Sequence, residues 1–276
     1  MPFKFDFQSF SRIAPAALLV SILTGCSGGI LPVSPNLSAL NVNGNWSFVS
    51  TAPQAAHLPQ LSGSLSGTGA AIAGVFHSAI TGACVDSHAL ITVTGKADAN
   101  RNLTLTSAAF GSGSVLSVSG QLAEDGKSIL NASYGVTGGA CAFAQTNGSA
   151  TVSVAATQFQ SISGSYVGSF VDADGNTLPV TATLTQTSQP DTNGTFHLTG
   201  NAAFASGYCI AAPVVTDSVV TGSTISATYT QTVNGVTSTV VGSGTFNADA
   251  TVLTITNWTL SGGCGADSGT GVLTKQ

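Results

Sequence analysis

The chain has 276 residues, 6 of them basic and 11 acidic; the charged share is 6%, against about 25% in an average soluble domain, while 43% are apolar. That balance excludes disorder driven by charge and low hydrophobicity, and six cations cannot neutralise the phosphates a nucleic-acid groove must contact. The 33 glycines follow no three-residue period and occur with only 9 prolines, which excludes collagen.

At the N-terminus, Lys4 and Arg12 precede an apolar run from Ile13 to Leu23. This is the length of a secretory h-region and too short to span a bilayer as a helix. Leu23-Thr24-Gly25-Cys26 follows, and these four residues resemble the lipobox of bacterial lipoproteins. The resemblance implies a signal peptide over residues 1–25, acylation of Cys26 as the mature N-terminus, and membrane attachment through two or three acyl chains. Ser27, rather than Asp, implies under that family's sorting rule an outer-membrane location in the cell envelope. Cleavage removes Lys4, Arg12 and Asp6 from a chain of net charge −5, so no basic patch assists attachment to anionic lipid. Residues 26–42, with Gly28, Gly29, Pro32 and Pro35, lack an apolar period and read as a lipidated tether.

From there the chain alternates apolar and polar residues, as in Leu90-Ile91-Thr92-Val93-Thr94 and Val180-Thr181-Ala182-Thr183-Leu184. Period two with abundant Thr and Val predicts half-buried antiparallel strands. Asp125-Gly126, Asp174-Gly175 and Asn234-Gly235 supply residues that tolerate positive φ and predict tight turns. The fold class is therefore all-β. Gly74-Val75-Phe76-His77 recurs as Gly194-Thr195-Phe196-His197, and Gly44-Asn45-Trp46 as Gly164-Ser165-Tyr166, both at an offset of 120 residues. Such echoes predict two copies of one β domain, at 43–154 and 162–276, joined by a linker at 155–161. In the first copy, strands are expected to begin near Trp46, Leu61, Ile72, Leu90, Leu103, Val115, Ile129 and Thr151. An up-and-down barrel and a two-sheet sandwich both satisfy that count. The Gly-x-Trp opening resembles the first strand of lipocalin and avidin barrels, which implies a barrel and a small apolar ligand inside it.

With Cys26 assigned to lipid, each copy keeps two cysteines, and duplication predicts Cys84–Cys141 and Cys209–Cys264 disulfides in an oxidising compartment. The cysteines are too far apart for a zinc knuckle, and the chain has no phosphate loop or dinucleotide fingerprint, so neither metal nor cofactor is expected. His77 and His197, with Trp46 and Tyr166, are candidate ligand contacts at matching positions; the plainer reading makes them hydrogen-bonded or core residues of a duplicated strand. Trp258 and Tyr134 read as core packing. Asp172-Ala173-Asp174-Gly175-Asn176 reads as a hairpin turn, because Thr183 stands where a calcium loop needs its bidentate glutamate. No catalytic residue is singled out: Glu124 is the only glutamate, and no nucleophile elbow is present. The sequence thus predicts a non-enzymatic binding, adhesion or structural lipoprotein of the envelope. A glycan or other envelope polymer is one expected partner. A carrier of a small apolar ligand is the alternative, and an envelope hydrolase ranks third.

Overall fold

The computed structural model describes residues 40–51, 60–78, 90–139, 151–205 and 209–276, all strand, turn and connection. The first eight strands are β1 (Gly44–Ser50), β2 (Leu61–Thr68), β3 (Ala71–Ser78), β4 (Leu90–Ala97), β5 (Asn102–Ser107), β6 (Val115–Leu122), β7 (Ser128–Thr137) and β8 (Val152–Phe159). The next eight are β9 (Gly164–Asp172), β10 (Thr177–Gln186), β11 (Phe196–Phe204), β12 (Val214–Thr221), β13 (Thr224–Val233), β14 (Val236–Phe246), β15 (Val252–Gly262) and β16 (Asp267–Lys275). Each set pairs antiparallel in chain order and closes on itself, β1 with β8 and β9 with β16, giving two barrels in tandem. The sandwich alternative is thereby removed. Closure also corrects the expected linker. Ala155 to Phe159 belong to β8, because their main chain pairs with Val49 to Asn45 and closes the first barrel; the connection is only residues 160–163.

Alternation does the packing. Along β5, Leu103 and Leu105 point inward while Asn102, Thr104 and Thr106 face solvent; along β10, Val180, Ala182 and Leu184 are inside and Thr181 and Thr183 outside. Glycine lets the sheet curl tightly. A Cβ on Gly95 would collide with the Thr104 carbonyl, and one on Gly168 with the Val272 carbonyl, so neighbouring strands approach where no side chain intervenes. At the β13–β14 hairpin, Asn234 and Gly235 both adopt positive φ, 51° and 80°, as a two-residue turn matched to strand twist requires. Asp172 closes the β9–β10 turn: Oδ1 accepts from the Asp174 and Asn176 N–H groups (3.0 and 2.7 Å), and Oδ2 from the Asn176 amide (2.8 Å). These bonds, the Asn176 side chain foremost, hold its carboxyl below the usual range.

The two interiors are separate clusters. The first is built on Trp46, Phe48, Phe76 and Tyr134, and the second on Tyr166, Phe170, Phe196 and Trp258. In each barrel the first strand rises from a floor, formed by the even-to-odd connections, towards a rim formed by the odd-to-even ones. The floors are sealed alike. Trp46 Nε1 donates to the Val42 carbonyl (2.8 Å), and the Tyr166 hydroxyl donates to the Ala250 carbonyl (2.9 Å) in the β14–β15 turn.

The floor of the second barrel rests on the wall of the first. The buried Asn45 amide on β1 pairs reciprocally with Gly222 in the β12–β13 turn: Nδ2 donates to the Gly222 carbonyl and Oδ1 accepts its N–H, each at 2.6 Å. The Gln160 N–H donates to the Ala248 carbonyl (2.8 Å), and Ile162 is fully buried in the second core. The second rim therefore points away from the first barrel.

Burial raises the Tyr166 and Tyr229 phenols from 10.0 to about 12. Their folded-state values lie above the unfolded one, so the stability they contribute is complete below pH 10 and falls as pH rises towards about 12. Tyrosinate absorbance at 295 nm is expected to rise together with loss of strand circular dichroism in that window; full ionisation with the β signal intact would contradict the burial.

Candidate ligand site at the mouth of the second barrel

The rim of the second barrel forms a concave surface with an apolar lining. Its residues reach that position through a β-bulge. On β15, Leu253 and Ile255 face inward in strict alternation, then Thr256 and Asn257 both face outward, and Trp258 and Leu260 face inward. The pairing registers of β14–β15 and β15–β16 both shift at this point. The extra residue thus aims an indole into the upper half of the barrel. Trp258 Nε1 donates to the Thr270 carbonyl (3.0 Å), which satisfies its polar atom and leaves the ring as an apolar wall. Phe170 stacks on it with centroids 5.7 Å apart, and Phe204 meets Phe170 edge-on at 5.7 Å.

These rings, with Leu178, Val240 and Leu260, line a cavity of about 240 Å³. The Cys209–Cys264 disulfide lies at its edge and ties the β11–β12 connection to the β15–β16 connection, with Cα atoms 5.5 Å apart. Ser238 Oγ accepts the Cys264 N–H (3.0 Å), and Gln231 Oε1 accepts the N–H groups of Ala211 and Ala212 (2.9 and 2.7 Å). A second hollow of about 250 Å³ shares Cys209, Ile210 and Cys264 and extends to Val233 and Val236, which are more than half exposed on the β13–β14 hairpin. The mouth therefore has an apolar lip, an aromatic wall and a covalently fixed rim, with the Asp267 carboxylate as its one charged group. Its chemistry suits a largely apolar small molecule that carries no negative charge.

None of the four candidate contacts read from the sequence lines this mouth. Trp46 and Tyr166 are 0% and 1% exposed and seal the barrel floors. His77 and His197 lie on outward positions, opposite the inward Phe76 and Phe196. Both meet one turn, residues 191–195. His77 Nε2 is 3.2 Å from Thr195 Oγ1 across the junction of the barrels, and His197 Nε2 is 3.1 Å from Asp191 Oδ2. Partial desolvation pushes the Asp191 carboxyl up, but the Thr195 and Asn193 N–H bonds and His197 outweigh it and hold it below its usual value. The histidines thus serve the turn, the plainer of the two readings. Of the cysteines, Cys209 and Cys264 are joined as expected; Cys26, Cys84 and Cys141 lie outside the described residues.

The sequence does not single out Phe170, Leu178, Phe204 and Leu260, and it favours core packing over a ligand platform for Trp258. Alternation marks some of them as inward-facing. Proximity to the rim, however, depends on register, and the inward turn of Trp258 and Leu260 depends on the bulge.

No family model matches the chain. No curated protein matches it. Among solved structures, one described as the structure of EF1p2_mFAP2b bound to DFHBI aligns at 18% sequence identity over 42% of this chain and 94% of that chain, with a TM-score of 0.30.

Proposed function

We propose that the protein is a non-enzymatic, lipid-anchored binding protein of the bacterial cell envelope, held at the outer membrane by acyl chains on Cys26, whose second barrel takes a small apolar ligand through its mouth. The observation that carries this reading is the cavity of about 240 Å³ beneath the Cys209–Cys264 bridge, walled by Phe170, Phe204 and Trp258. Burying apolar ligand surface there gains roughly 25 cal/mol per Å², and the disulfide-fixed rim limits the ordering cost of binding. The barrels keep their apolar residues inside and face solvent mainly with Thr and Ser, the reverse of a membrane-spanning barrel, so attachment falls to the acyl chains.

Titration with the neutral fluorophore N-phenyl-1-naphthylamine tests the site. Dye emission is expected to rise and Trp258 emission to fall, both saturably, and Ala266→Trp, at the exposed lip, is expected to abolish the response. Binding that survives Ala266→Trp would remove the mouth from consideration. The anchor is tested separately: Cys26→Ser is expected to move the protein from washed membranes to the soluble fraction, and persistence in the membranes would count against acylation.

A further inference from the structure

The junction of the two barrels holds a cleft whose chemistry is unlike that of the mouth. It has a volume of about 510 Å³ and is walled by Asn43, Asp125, Lys127 and Gln158 from the first barrel, Gln160 from the connection and Gln186 from the second barrel. Several of its amides are oriented by the main chain. Gln186 Oε1 accepts the Ile162 N–H (3.1 Å), which leaves its NH₂ to donate elsewhere. Asn43 Oδ1 accepts the Gly67 N–H, with the same result. Gln158 Nε2 donates to the Asn43 carbonyl (2.8 Å), which leaves its Oε1 to accept. Phe159, half-buried and edge-on to Phe246 at 5.4 Å, adds an apolar facet. Asp125 and Lys127 contribute one charge of each sign, so the lining is formally neutral.

Fixed amide donors and acceptors beside an aromatic facet suit a ligand that carries many hydroxyls and an apolar C–H face. We propose that this cleft binds a short, uncharged oligosaccharide. A polyanion would meet the Asp125 carboxylate with a single cation to offset it. An apolar ligand would strand the amides without partners, at a cost for each unsatisfied group. Both barrels supply wall residues, so the site exists only in the tandem chain, and it stands independently of the mouth of the second barrel.

The test is titration of the ¹⁵N-labelled protein with N,N′,N″-triacetylchitotriose, maltotriose and cellotriose, with trigalacturonate as the anionic arm. At least one neutral trisaccharide is expected to shift the side-chain amide signals of Gln158, Gln160 and Gln186 saturably at millimolar concentration, while the Trp258 indole signal, which reports the mouth, stays in place. Gln160→Ala, at an exposed side chain with no hydrogen bond among the described residues, is expected to weaken binding about fivefold, the loss of one hydrogen bond. Ser188→Trp, on the exposed β10–β11 connection, is expected to fill the cleft and abolish binding without disturbing the rest of the spectrum. The proposal is overturned if no neutral trisaccharide shifts these amides, if trigalacturonate binds as well as the neutral sugars, or if Ser188→Trp binds undiminished.

Discussion

Trp46→Ala is expected to destabilise the first barrel by about 3–5 kcal/mol and to leave the melting of the second in place. The indole is fully buried, lies against Phe48 at 6.4 Å between ring centroids, and through it connects to Phe76. Truncation opens a cavity at the floor and strands the Val42 carbonyl, which now accepts the Nε1 proton at 2.8 Å. A barrel of this size has about 5–15 kcal/mol of net stability, so the loss is a large share of the whole. The second interior has no residue in common with the first. Calorimetry is therefore expected to show one transition lowered by more than about 10 °C and a second unmoved. One joint transition, lowered as a unit, would show instead that the Asn45–Gly222 pair couples the barrels into a single cooperative body.

The double substitution Cys209→Ser/Cys264→Ser is expected to cost the second barrel about 4 kcal/mol in the chain-entropy account, because the bridge closes a span of 55 residues. Main-chain N–H groups donating to Ser238 and Gln231 still hold the rim connections near their places, so the barrel is expected to fold at 25 °C with a loosened mouth. Guanidinium unfolding reads the first effect and the affinity for N-phenyl-1-naphthylamine the second, with dye binding expected to weaken together with stability. A stability change below about 1 kcal/mol would mean that the unfolded chain gains little freedom when the bridge is absent. Undiminished dye affinity would mean that the cavity does not depend on its rim.

Much of the architecture is legible in the sequence because period-two alternation maps directly onto inside and outside. The first-copy strands begin within two residues of the positions expected from apolar runs, from Leu61, Leu90 and Val115 without error to Trp46 for a strand that opens at Gly44. Closure into barrels was less legible, since a meander of eight strands satisfies a sandwich equally well until β1 meets β8. Ala155 to Gln158 read as linker because their side chains are small or polar, and only the partner strand reveals their pairing. The mouth was the least legible part. Trp46 and Tyr166 drew attention as matched aromatics, yet they match because both barrels need the same floor seal. Apart from Trp258 and the cystine, the residues that form the cavity are mostly ordinary Phe, Leu and Val, distinguished by their height in the barrel.

The bulge in β15 carries a consequence for how such a mouth changes over time. Were the strand to run straight through Thr256, Asn257 and Thr259 would face inward, and Trp258 and Leu260 would turn to solvent. The greasy or hydrated character of the opening is therefore a matter of phase, set by a single supernumerary backbone unit. Descendants of this chain could exchange one class of guest for another by smoothing that kink at constant strand length, whereas deleting Thr256 or Asn257 with it would keep Trp258 and Leu260 inside.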